Sequence, residues 1–237
     1  MYFLITKSIT YRIIPFILIY LSMINSNQYK GQDWPNLNRY QQENEHLQPI
    51  KKGEKRVVFM GNSITEFWSS YSDFFKSNKN YINRGISGQT SPQMLLRFRQ
   101  DVINLSPKLV VILSGINDIA ENTGPSSLEM IENNIISMAE LAKKNDIKVI
   151  LCSVLPAAEF PWSPSIEPAK IVVDLNKKIK SFANQNNITY VDYFSEMKNE
   201  NNGMRSDLAN DGIHPNELGY SIMEPIIEKA IQKTLEN

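Results

Sequence analysis

From Arg56 onward, short apolar runs alternate with longer amphipathic stretches. Val57 to Met60, Leu109 to Leu113, Val149 to Leu151 and the weaker Ile188 to Val191 are continuous rather than alternating, and Tyr81 with Ile82 forms an additional short strand. Continuous apolar strands are those covered on both faces, so the pattern predicts a parallel sheet between helices. Between the runs, Leu128, Ile131, Ile135, Met138 and Leu141 recur at helical spacing, as do Ile171, Leu175, Ile179 and Phe182. Ile222, Ile226, Ala230 and Ile231 continue the pattern near the end, where Pro225 is expected to kink the last helix. The expected product is an α/β fold, a three-layer α/β/α sandwich with about five parallel strands. Ligands bind such sheets outside the carboxyl ends of the strands.

The N-terminal region follows another pattern. Lys7 and Arg12 precede an uncharged run, Ile13 to Ile24, which is followed by Asn25, Ser26 and Asn27. That is the layout of a secretory signal, and the run is shorter than the about 20 residues of a spanning helix and carries Pro15. Residues 1–26 are therefore read as a signal peptide. No clear pair of small residues ends the run, so an uncleaved N-terminal anchor is the alternative. Either way the protein is expected to be exported, to the periplasm or outside the cell. Residues 27–54, with Trp34, Pro35 and Tyr40, read as an extension that wraps onto the domain of residues 55–237 or helps shape a binding surface.

Composition narrows the function. The chain has 237 residues, with 25 basic against 25 acidic, so it has no overall field for nucleic acid or anionic lipid. Neutral or weakly charged substrates fit best, and membrane contact is expected only through the N-terminal segment. The single cysteine, Cys152, lies in an apolar run, which excludes an intrachain disulfide and marks it as a buried small hydrophobe. One cysteine and two distant histidines do not make a usual zinc ligand set, and neither a metal nor an organic cofactor is expected.

Three residues carry candidate chemistry. Ser63 follows the first apolar run in Met-Gly-Asn-Ser-Ile-Thr, and Asp211 stands three residues before His214 in Asp-Gly-Ile-His-Pro. A serine hydroxyl is a poor nucleophile until an imidazole takes its proton, and the imidazole needs a carboxylate to fix its tautomer. The other histidine, His46, lies in a polar stretch without a carboxylate in a comparable turn, so His214 is the candidate base. The competing readings are ordinary ones: Ser63 as a helix cap and Gly-Ile-His-Pro as a surface turn.

Gly61-Asn62-Ser63, Gly85-Ile86-Ser87-Gly88, Gly115-Ile116-Asn117-Asp118 and Asp211-Gly212-Ile213-His214-Pro215 together resemble the four blocks of the SGNH hydrolases, also called the GDSL lipase and esterase family. The resemblance covers roughly residues 55 to 235 in the right order. In the first block Asn62 stands where the family often has Asp. The resemblance implies a flavodoxin-like fold, Ser63, His214 and Asp211 as a catalytic triad, and an oxyanion hole made by the backbone N–H groups of Ser63 and Gly88 with the Asn117 side chain. Gly85 would permit a turn and Asp118 would orient its loop. An Asn-Asp turn after a strand is the plain alternative for Asn117.

The family includes acetylesterases acting on sugars, arylesterases, thioesterases and lysophospholipases, so the resemblance does not choose a substrate. The proline-rich segment Leu155 to Pro168, after the fourth strand, offers Phe160 and Trp162 to stack on a sugar or line a short acyl pocket, or else to plug the loop onto its own domain. No long apolar lid is visible. A short-chain or acetyl ester of a carbohydrate or other soluble molecule is the expected substrate. Lysophospholipase or thioesterase is the alternative among enzymes, and a catalytically silent carbohydrate-binding module the alternative outside them.

Overall fold

The computed structural model describes residues 32–236, so the residues read as an export segment lie outside it. The strands fall where the apolar runs predict: β1 (Val57–Gly61), β2 (Tyr81–Gly85), β3 (Leu109–Ile112), β4 (Lys148–Cys152) and β5 (Thr189–Val191). They pair in parallel in the order β2-β1-β3-β4-β5. This doubly wound order reverses direction between β1 and β3, and such a switch point opens a crevice at the carboxyl edge. Every residue of β1 and β3 is buried, as expected of strands covered on both sides.

The helices are α1 (Gln41–His46), α2 (Ser63–Tyr71), α3 (Phe74–Ser77), α4 (Ser91–Asp101), α5 (Ile116–Ile119), α6 (Leu128–Lys144), α7 (Pro168–Gln185), α8 (Tyr193–Met197) and α9 (Glu217–Glu236). α6 shows how local chemistry sets the ends. The Ser127 side chain accepts from the Met130 amide, and Lys143 and Lys144 meet the negative end of the helix dipole. Ile131, Ile135 and Met138 bury its stripe, while α7 opens on Pro168 and buries Val172, Leu175 and Ile179. α9 continues through Pro225.

One strand departs from its expected bounds for a physical reason. β2 continues past Ile82 through the polar residues Asn83 and Arg84 to Gly85. Asn83 Nδ2 donates to Thr65 O at 2.6 Å, and Arg84 Nε donates to Asn44 Oδ1 at 2.9 Å. The partners of this polar strand end come from distant parts of the chain. Gly85 is required for closeness rather than for a turn. A Cβ there would stand 2.2 Å from the Glu66 amide nitrogen, so only glycine lets α2 lie against the end of β2.

The segment from Trp34 belongs to the same compact unit as the sheet. It forms a short 3-10 turn, Leu37–Tyr40, and then α1. Its Tyr40 is buried, with the hydroxyl donating to Gly85 O. Cys152 is buried in the core, and burial pushes its thiol pKa up.

Candidate active site

Four loops meet at the carboxyl edge of the sheet. β1 delivers its chain into α2, whose first residue is Ser63. The cap of this helix is Asn62, whose Oδ1 accepts from the Ile64 amide at 3.1 Å. The capping role considered for Ser63 is thus already filled, by a residue type that caps as well as Asp does. Ser63 Oγ instead lies 2.9 Å from His214 Nε2.

His214 and Asp211 are set by a tight loop. An antiparallel bridge between Ala209 and Pro215 pinches its ends, and Gly212 takes φ +76° at the bend. His214 Nδ1 lies 2.6 Å from Asp211 Oδ2, and Asp211 Oδ1 accepts the amides of Ile213 and His214 at 2.9 and 2.8 Å. Partial burial alone would raise the Asp211 pKa, but the bonds from the His214 ring and the two amides outweigh it and hold the carboxyl below its ordinary value. An ionised Asp211 at neutral pH places the imidazole hydrogen on Nδ1, which leaves the Nε2 lone pair facing Ser63 Oγ. Phe67, one turn along α2, packs its ring 5.4 Å from the His214 ring.

The second and third blocks lie together, joined by a bond from Asn117 to Gln89. Gly88 takes φ +75°, a backbone conformation that favours glycine, and a Cβ there would meet no protein atom within 4 Å. The first residue of a helix has no intrahelical acceptor for its N–H. Among the described residues neither the Ser63 nor the Gly88 amide has a protein acceptor. Asn117 is buried in α5, and its Nδ2 donates to Gln89 O at 3.0 Å. A primary amide carries two N–H groups, so one remains uncommitted. Asp118 is buried and accepts the Ser91 amide at 2.9 Å and the Ser91 hydroxyl at 2.5 Å, tying the third block to the start of α4. Burial pushes its pKa up to about 6 despite the Ser91 bonds that pull it down.

Trp162 and Phe160 have different situations. Phe160 is fully buried and stacks under the Trp162 ring at 5.4 Å, so it offers no surface to a ligand, and the direct contact expected of it is corrected to support of its neighbour. Trp162 is 48% exposed, and its Nε1 donates to Asn122 Oδ1 at 3.2 Å. Asn122 Nδ2 in turn reaches Gly88 O at 3.4 Å, which links the indole to the glycine loop.

Sequence reasoning did not single out Phe67, Gln89 or Arg97. The visible signal for Arg97 was its position: with Asp101 it shares the helix face of Met94 and Phe98, so a charged pair sits on an apolar stripe.

A doubly wound sheet with this constellation at its carboxyl edge is the architecture of a class of ester hydrolases. Residues 59–222 match the GDSL-like Lipase/Acylhydrolase family, and the chain belongs to that family. The esterase TesA of Pseudomonas aeruginosa is 31% identical over 167 residues, which cover 69% of this chain and 77% of TesA. The uncharacterized lipoprotein YqeF of Bacillus subtilis is 34% identical over 126 residues, 46% of this chain and 51% of YqeF. An acetylxylan esterase of Xylanibacter ruminicola is 25% identical over 223 residues, 77% of this chain and 44% of the esterase. The chain thus spans about half the length of these last two relatives. Among solved structures, a GDSL-like lipase of Bacteroides thetaiotaomicron is 55% identical with a TM-score of 0.82, covering 84% of this chain and 98% of the lipase.

Proposed function

We propose that this protein is an exported serine esterase that cleaves a carboxylic ester through an acyl-enzyme. The unbroken hydrogen-bonded path from Ser63 Oγ through His214 to Asp211 carries the reading. Ser63 Oγ attacks the ester carbonyl carbon while His214 Nε2 takes the hydroxyl proton. The carbonyl oxygen becomes an oxyanion, received by the N–H groups of Ser63 and Gly88 and the free amide hydrogen of Asn117. Collapse of this intermediate breaks the bond to the alcohol, and His214 returns the proton to the leaving oxygen. Water then adds to the acyl-enzyme with His214 again as base, and the carboxylic acid leaves as Ser63 regains its proton. Asp211 holds the imidazole tautomer and balances the imidazolium charge.

The substrate is a short-chain acyl or acetyl ester of a carbohydrate or another soluble molecule. Three observations support that choice. The His214 and Asp211 side chains are 26% and 48% exposed, so the site opens directly at the surface. Trp162 presents a half-exposed indole of the kind that stacks on a sugar ring. A relative carries the name acetylxylan esterase. Export rests on the charged and then apolar pattern of residues 1–26, and a relative described as a lipoprotein agrees with it. Among the described residues no helix is long and apolar enough to cross a membrane.

The test is hydrolysis of p-nitrophenyl esters from acetate to palmitate, of acetylated xylooligosaccharides and of lysolipids, by wild type and Ser63→Ala in parallel. Turnover limited to short chains and acetylated sugars, and lost in the variant, is expected. Faster cleavage of long-chain lysolipids would transfer the assignment to a lysophospholipase. Absence of any serine-dependent turnover would leave a silent binding module. For export, an intact N-terminus on cytosolic protein, seen by mass spectrometry, would contradict the reading.

A further inference from the structure

The segment Trp34–His46 contributes no residue to the proposed triad or oxyanion hole, yet it grips the loop that carries Gly88. Tyr40 OH donates to Gly85 O. Arg39 donates to Glu66 Oε1 at 3.2 Å, and Glu66 Oε2 accepts the Ser87 amide and hydroxyl at 2.7 and 2.5 Å. Gln89 Nε2 donates to Pro35 O at 2.7 Å, and Gln93 Nε2 to Trp34 O at 2.8 Å. The strap thus holds Gly85 and Gln89 directly and Ser87 between them through Glu66.

A buried network holds the same loop from beneath. Arg97 and Asp101 have wholly buried side chains and pair at 3.0 Å. Arg97 also donates to Gly61 O at 3.0 Å, to Arg84 O at 2.9 Å and to Gln89 Oε1 at 2.6 Å. One guanidinium therefore ties the carboxyl ends of β1 and β2 to the glycine loop. The network ends in the strap, because Asp101 Oδ1 accepts Asn44 Nδ2 at 2.7 Å and Asn44 Oδ1 accepts Arg84 Nε at 2.9 Å.

Gln89 is the joint between the two supports. Its side chain is fixed at both ends, by Pro35 and by Arg97, and its backbone carbonyl receives one hydrogen of the Asn117 amide. An amide with one hydrogen committed has its plane fixed, and the direction of the other hydrogen follows. Oxyanion stabilisation depends on donors that are aimed before the charge develops.

We propose that Gln89 is a positioning residue, and that the strap Trp34–His46 acts through it to hold the Asn117 donor in place for the transition state. The proposal rests on the serine esterase reading of the site. Donors used mainly in the transition state act on kcat more than on KM. In the full-length protein, Gln89→Ala is expected to lower kcat for p-nitrophenyl acetate about 10- to 100-fold, with KM changed by less than about 3-fold. The pH dependence of kcat/KM should keep its wild-type midpoint, because His214 and Asp211 are untouched. Gln89→Glu retains the acceptor for Arg97 and should recover part of the loss. Tyr40→Phe, which removes one hydroxyl from the strap and keeps the ring, should lower kcat more mildly with a wild-type KM.

The decisive comparison is a double-mutant cycle with Asn117→Ala. If Gln89 acts through the amide, Gln89→Ala should cost less than about 3-fold in the Asn117→Ala background. Equal losses in both backgrounds would overturn the proposal, as would wild-type kcat in Gln89→Ala or an effect on KM alone. Should Gln89→Ala fail to fold, the same cycle with Tyr40→Phe decides. Failure of the esterase reading is separable, because it would show as undiminished turnover in Ser63→Ala.

Discussion

The two sides of the site are held by opposite means. On the base side, Asp211 meets the amides of Ile213 and His214 and the imidazole of His214, all within three residues and partly open to solvent. On the donor side, Gln89 and Asn117 depend on Arg97 and Asp101 of α4, Asn44 of α1 and Arg84 of β2, whose bonds are buried or partly buried. A local, half-exposed device is cheap in stability and visible as a short motif. The donor side has neither property, so changes there should reach the fold as well as the chemistry.

The sharpest break in that contrast comes from the base side. Ser63→Ala and His214→Ala should each lower kcat by about 10⁴-fold or more, because the triad acts as a unit. Their Tm should stay within about 2 °C of wild type, because His214 is partly exposed and the buried Ser63 hydroxyl bonds only to His214 while Asn62 caps the helix. A variant that is folded and fully active would break the account. Asp101→Ala inverts the pattern, leaving the Arg97 guanidinium buried without its carboxylate. Urea unfolding should show a loss of about 3–5 kcal/mol, the usual cost of breaking a buried pair. A loss under about 1 kcal/mol would mean that the donor side is not held as described.

Asn117→Ala should lower kcat about 100- to 1,000-fold with little change in KM, as loss of an oxyanion donor does. Equal activity would remove Asn117 from the reaction. The smallest effect is a pH dependence at Asp118. Its folded pKa of about 6 lies above the ordinary carboxylate value, so the folded state takes up the proton first as pH falls. Keeping the group ionised in its buried place therefore costs stability above about pH 6, and that cost is relieved as pH falls toward the ordinary value near 4. Asp118→Asn should be most favoured relative to wild type above that window, and a Tm difference constant from pH 4 to pH 8 would contradict this.

The same contrast explains what the sequence made legible. Continuous apolar runs such as Val57 to Met60 announced the core strands because burial on both faces leaves no choice of composition. The juxtaposition of Ser63, His214 and Asp211 was readable because a proposed nucleophile, base and carboxylate restrict residue type at fixed positions. Asn83 and Arg84 hid the second half of β2, since a polar residue reads as strand only once its partner is known, and Asn44 is 40 residues from Arg84. Arg97 and Asp101 gave a readable signal of burial but none of purpose. Phe160 and Trp162 looked equivalent in the chain, and only packing separated the buried support from the exposed ring.

The central claim is that Ser63 carries the acyl group. It is tested most directly by quenching wild-type protein in acid during turnover of p-nitrophenyl acetate and mapping the acetylated peptide by mass spectrometry. The account predicts an acetyl group on Ser63 that disappears as substrate is exhausted and never forms in His214→Ala. Acetylation at another residue, or turnover without any covalent intermediate in wild type and undiminished in Ser63→Ala, would contradict it.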